Sequence, residues 1–181
     1  MKTTSLFLRG ATLLVTLSLS TTLPAQNPQP GSPTRNDMTT QNLSRSDRDF
    51  LEKAAKSGME EVEISQIVST RLSNSQVREL AGMMVKDHTT VNSELTNLAA
   101  RKGVALPSDM MKATEKWSTK AVDDLAQDYL EALQDDHQEA VKLFEKASKS
   151  EDAEIAAFAM KHLPSLQRHL QMVNDLKQTM K

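Results

Sequence analysis

No cysteine occurs anywhere in the 181 residues. That absence excludes disulfide staples, a cysteine nucleophile and a lipid-modified N-terminal cysteine, so stability has to come from burial or from a bound ligand. Glycine and proline are sparse after residue 44, and no glycine-rich phosphate loop is present. No long basic run appears. The net charge is −2, and it becomes −4 once Lys2 and Arg9 are taken away with the segment that carries them. A mildly acidic chain of this kind argues against nucleic acid as a partner. No apolar run reaches the roughly 20 residues of a membrane span, and no Ser-His-Asp arrangement supplies a nucleophile.

What is present begins with a leader. Lys2 and Arg9 precede the run ATLLVTLSLSTTL, and Ala25 follows as a small residue before polar sequence, the pattern of a secretory signal over residues 1–25 cleaved before Gln26. Residues 26–43, rich in proline and amides, read as a disordered tether. The expected address is therefore periplasmic or extracellular, with release rather than anchoring. A folded domain is expected over 44–181.

In that domain apolar residues recur at helical spacing. Helices are expected over about 47–72 (cap Ser46), 76–102 (stopped by Gly103), 121–149, and from a Ser150 cap to about Met180. The expected fold is all-α: a four-helix bundle of two antiparallel hairpins. The link 104–120 is long enough to run back along the bundle as a crossover; the alternative is a short fifth helix across one end. Trp117, in that link, is expected to cover one end of the core.

At 100° per residue, Phe50, Leu51, Ala54, Gly58 and Val68 share the inner arc of helix one with Glu61. His88 sits among Leu80, Met84, Val91 and Leu95, and His137 among Val122, Tyr129, Leu133 and Phe144. Both His162 and His169 fall on the arc of the last helix, where Pro164 between them predicts a kink. Asp87 and Asp136 stand at the arc borders. Each helix thus contributes a ligand-capable side chain to the interior. Distances from the turns place Glu61 level with His88, and His137 level with His162.

The segments FLEKAAKSGMEEVEISQIV, VRELAGMMVKDHTTVNSELTNLAARKGVALP, YLEALQDDHQEAVKLFEKASKS and FAMKHLPSLQRHLQMV resemble the domain-of-unknown-function 4142 family over nearly all of residues 47–176. The resemblance implies an exported bacterial protein of the ferritin-like superfamily. It also implies that Glu61, Asp87, His88, Asp136, His137, Pro164 and His169 hold characteristic positions, which tips the choice on the last helix from His162 to His169.

Two readings of the centre follow. In the first, Glu61 and the histidines form a buried polar layer that fixes helix register, in a non-catalytic binding or structural protein of the cell envelope that acts through a protein partner. In the second, Glu61, His88, His137 and His169 bind Zn²⁺, Fe²⁺ or Mn²⁺, with Asp87 or Asp136 orienting imidazoles and His162 as a substitute ligand. The sequence favours the first. Cu(I) held with Met84 or Met172 ranks lower, and acid–base catalysis lowest. No Glu-x-x-His step occurs, so the di-iron chemistry of ferritin-like oxidases is not expected.

Overall fold

The computed structural model describes residues 43–106 and 115–180. The leader and nearly all of the tether lie outside these residues, as do Met110 and Met111. Five helices are described: α1 (Arg45–Arg71), α2 (Ser75–Arg101), α3 (Glu115–Thr119), α4 (Val122–Ala147) and α5 (Ala153–Thr179). No strand occurs among the described residues.

Two of the expected caps move. Ser44, not Ser46, opens α1: its hydroxyl accepts from the Asp47 amide at 3.0 Å and donates to the Asp47 carboxylate at 2.6 Å. The earlier cap lets Asp47 be buried with its carboxylate satisfied. Asp152, not Ser150, opens α5. Its Oδ1 accepts from the amides of Glu154 and Ile155, while Oδ2 holds Lys102 at 2.6 Å. A carboxylate serves both the helix dipole and the lysine, which a hydroxyl cannot. Asn74 caps α2, and Gly103 follows it at φ 66°, the left-handed conformation that a terminating glycine adopts at low cost.

Cross-helix contacts fix the topology. Phe50 meets Phe144 and Ser65 meets Tyr129, so α1 and α4 are antiparallel. Glu94 meets His162 and Lys102 meets Asp152, so α2 and α5 are antiparallel too. With α1 up, the order is α1 up, α2 down, α4 down, α5 up. α2 therefore ends at the bottom of the bundle and α4 begins at the top. Near the top, Trp117 of α3 packs edge-on to Tyr129 and the Arg71 guanidinium donates to the carbonyls of Trp117 and Lys120. The order of the helices is that of the expected crossover, while the short extra helix α3 packs along the upper flank of α1 and α4 rather than across an end. Trp117→Ala is expected to cost about 3–5 kcal/mol in denaturant unfolding, since Trp117 is only 3 % exposed.

The core divides in two. A lower cluster gathers Phe50, Leu51, Leu95, Leu98, Phe144, Ile155 and Phe158. An upper one gathers Val68, Val77, Leu80, Met84, Leu125, Tyr129, Leu133 and Val173. Val122, expected inside, is 49 % exposed because it stands at the first position of α4, past the packed length of the helix. α5 runs unbroken through Pro164, whose ring faces solvent, so the carbonyl deprived of a donor belongs to the exposed Met160.

Candidate metal centre

Between the two apolar clusters lie Glu61 from α1, His88 from α2, His137 from α4 and His169 from α5, each no more than 5 % exposed. The three imidazole centroids form a triangle with sides of 5.5, 5.6 and 5.4 Å. The ligand nitrogens lie within 4.8 Å of one another.

His162 does not join them. It sits lower on α5, bonded to Glu94 at 2.9 Å and stacked near Phe158. Counting residues from the α4–α5 turn had made His162 level with His137. The register of α4 against α5 is offset from that count: Gln134 meets Asn174 and Lys177, and His137 meets His169.

The hydrogen bonds on the outer side of each ring decide what faces inward. His137 Nδ1 lies 3.0 Å from the Leu133 carbonyl, which can only accept, so Nδ1 carries the proton. His169 Nε2 lies 3.0 Å from an Asp87 carboxylate oxygen and donates to it. In neutral rings the remaining nitrogens, His137 Nε2 and His169 Nδ1, are bare lone pairs, and they face each other at 3.3 Å. Glu61 Oε1 stands 3.2 Å from His88 Nε2 and 3.5 Å from His137 Nε2, yet both Glu61 Oε1 and His88 Nε2 are buried with no hydrogen-bond partner.

Burial sets the charge states. Desolvation, together with the Asp136 charge, pushes the Glu61 carboxyl well above its ordinary range. Desolvation and the neighbouring imidazoles push His88 down to about 3 and His137 down to about 4, and desolvation outweighs Asp87 in lowering His169. The imidazoles are therefore neutral at physiological pH, the form that binds metals.

The two aspartates separate. Asp87 orients His169 across the α2–α5 interface, the carboxylate–histidine arrangement that fixes a ligand's tautomer. Asp136 is exposed and hydrogen-bonds no histidine among the described residues; it acts on Glu61 through charge. The Leu133 carbonyl fills the orienting role expected of Asp136. No side-chain motif marks that role, because any helical residue four positions earlier offers a carbonyl. Asp87→Ala is expected to weaken metal binding about 10–100-fold with little loss of fold, as read by competition with a chelating indicator.

The profile of one sequence family matches residues 32–176. The chain belongs to the domain of unknown function (DUF4142) family. The DUF4142 match spans Glu61, Asp87, His88, Asp136, His137 and His169, so the whole centre lies within the family domain. No curated protein and no solved structure matches the chain. Met84 and Met172 pack with the upper apolar cluster. Tyr129 bonds Ser65, which lies one turn along α1 from Glu61, at 2.7 Å, and burial raises the Tyr129 pKa.

Proposed function

We propose that this chain is an exported, non-catalytic metal-binding bundle, holding one divalent transition ion between Glu61, His88, His137 and His169. One observation carries the reading. Ligand atoms about 2.0–2.1 Å from a tetrahedral ion stand ~3.3–3.4 Å apart. Three of the six separations among these ligand atoms are 3.2, 3.3 and 3.5 Å, the imidazole nitrogens all lie within 4.8 Å of one another, and the 3.3 Å contact brings two lone pairs together. Three imidazoles and one carboxylate suit Zn²⁺ first, and Fe²⁺ or Mn²⁺ as well.

The purely architectural reading, preferred on sequence, now stands second. A polar layer kept for register should be satisfied, since a half-satisfied buried network is worse than an apolar one. Here two buried atoms lack partners and two lone pairs oppose each other. The single long crossover supports a ferritin-like placement, and the lysine- and arginine-led apolar start supports export.

Elemental analysis of protein purified without chelator tests the centre. About one metal ion per chain is expected, and none in His137→Ala. Metal-free wild-type protein that takes up no Zn²⁺, Fe²⁺ or Mn²⁺ on titration overturns it. Export is checked by N-terminal sequencing of the mature protein from a periplasmic fraction, with Gln26 expected as the first residue.

A further inference from the structure

A cavity of about 650 Å³ opens between α1 and α4 and reaches inward to Glu61 and His88. Small residues are part of its lining, Ala54, Ser57 and Gly58 on α1 and Ala140 on α4, and Gly58 lies against the Asn92 side chain of α2. Four lysines line the cavity, Lys53, Lys56, Lys142 and Lys146, together with the carboxylates Glu60, Asp136 and Glu139. Lys53 and Lys146 lie toward the Phe50–Phe144 end, where they also line a neighbouring groove with Phe50. Glu60, Asp136 and Glu139 gather at the level of the centre, since Glu60 and Asp136 adjoin Glu61 and His137 and Glu139 is one turn away. Lys56 faces Glu60 only loosely, at 3.9 Å.

Two of the ring nitrogens are covered from outside the cavity. The Leu133 carbonyl caps His137, while Asp87 caps His169 with Arg168 behind it. A second observation points to a ligand in the cavity: Glu61, whose side chain is only 6 % exposed, lines it, and its Oε1 has no hydrogen-bond partner.

We propose that this cavity is the route by which a hydrated divalent cation enters, and that Glu60, Asp136 and Glu139 form the collar that captures it. The inference rests on the metal-centre reading. A cation drawn to the collar exchanges water for carboxylate oxygen, passes to Glu61 Oε1 and His88 Nε2, and settles against the His137–His169 pair. Carboxylates focused at the mouth of a low-dielectric cleft raise the local cation concentration and so the on-rate. Lys53 and Lys146 repel the cation at the Phe50–Phe144 end and leave the collar as the favoured entry.

Stopped-flow uptake of Co²⁺ by chelator-treated full-length mature protein, followed by the cobalt absorption bands, tests the route. The combined variant Glu60→Gln, Asp136→Asn and Glu139→Gln is expected to load about 10-fold more slowly at low ionic strength. The difference should shrink as salt shortens the Debye length to ~3 Å at 1 M. Its saturated spectrum should still report the parent ligand set. A control with the same charge change away from the cavity, Glu79→Gln, Asp123→Asn and Asp175→Asn, should load at the parent rate. A collar variant that loads at the parent rate, with the parent salt dependence, overturns the route alone. A parent protein that takes up no cobalt overturns the metal-centre reading and the route with it.

Discussion

Adding Zn²⁺ to metal-free protein is expected to raise its melting temperature by about 10–20 °C. A ligand that binds only the folded state stabilises it by ~4 kcal/mol at a thousandfold excess over Kd, and each kcal/mol moves the melting point of a domain this size by several degrees. The folded state has a particular gain to make here. His137 and His169 face each other through bare nitrogens at 3.3 Å, and Glu61 Oε1 and His88 Nε2 are buried without partners. A cation removes all of these defects together. Differential scanning fluorimetry with and without chelator checks the shift. His137→Ala or His169→Ala should abolish it, whereas His162→Ala should leave it in place, because His162 is engaged with Glu94 away from the centre. A shift that survives His137→Ala would place the metal elsewhere.

The second large effect is a change of sign at Glu61. Removing a functional side chain usually destabilises a core or does nothing. Glu61→Leu should instead make metal-free protein more stable by about 1–3 kcal/mol, because it removes a buried carboxyl that no donor satisfies. The same substitution should eliminate the metal-induced rise. Its pH dependence follows from the raised pKa of Glu61. A carboxyl whose folded pKa lies above its unfolded value has its folded state favoured below the unfolded value and penalised as pH climbs toward the folded one. The gain from Glu61→Leu should accordingly be larger at pH 7 than at pH 4. Urea unfolding of both proteins in chelator, at the two pH values, measures it. A variant less stable than the parent at pH 7 would mean that the carboxylate supports the fold and would count against the metal centre.

The legibility of this protein in its sequence follows the range of the forces involved. Helical periodicity is local, so the inner faces of all four long helices were readable, and with them Glu61, His88, His137 and both candidates on α5. The Gly103 stop was equally local, because only the residues around it set its φ of 66°. Caps were less secure. Ser44–Asp47 and Ser46–Asp49 present the same spacing, and only the burial of Asp47 chooses between them. At the head of α5, the choice of Asp152 depended on Lys102, fifty residues away in the chain and on the other hairpin.

Sequence alone therefore determined the all-helical character, the two hairpins, the long crossover and which side chains turn inward. These follow from periodicity, turn residues and the length of the link. The tertiary structure decided three things. The register of α4 against α5 joins His137 to His169 rather than to His162. Asp87 and the Leu133 carbonyl hold the two rings in tautomers that leave lone pairs facing inward. A cavity between α1 and α4 opens from solvent to Glu61 and His88. Each depends on where two helices stand relative to one another, a distance of a few ångströms that residue spacing along one helix does not encode.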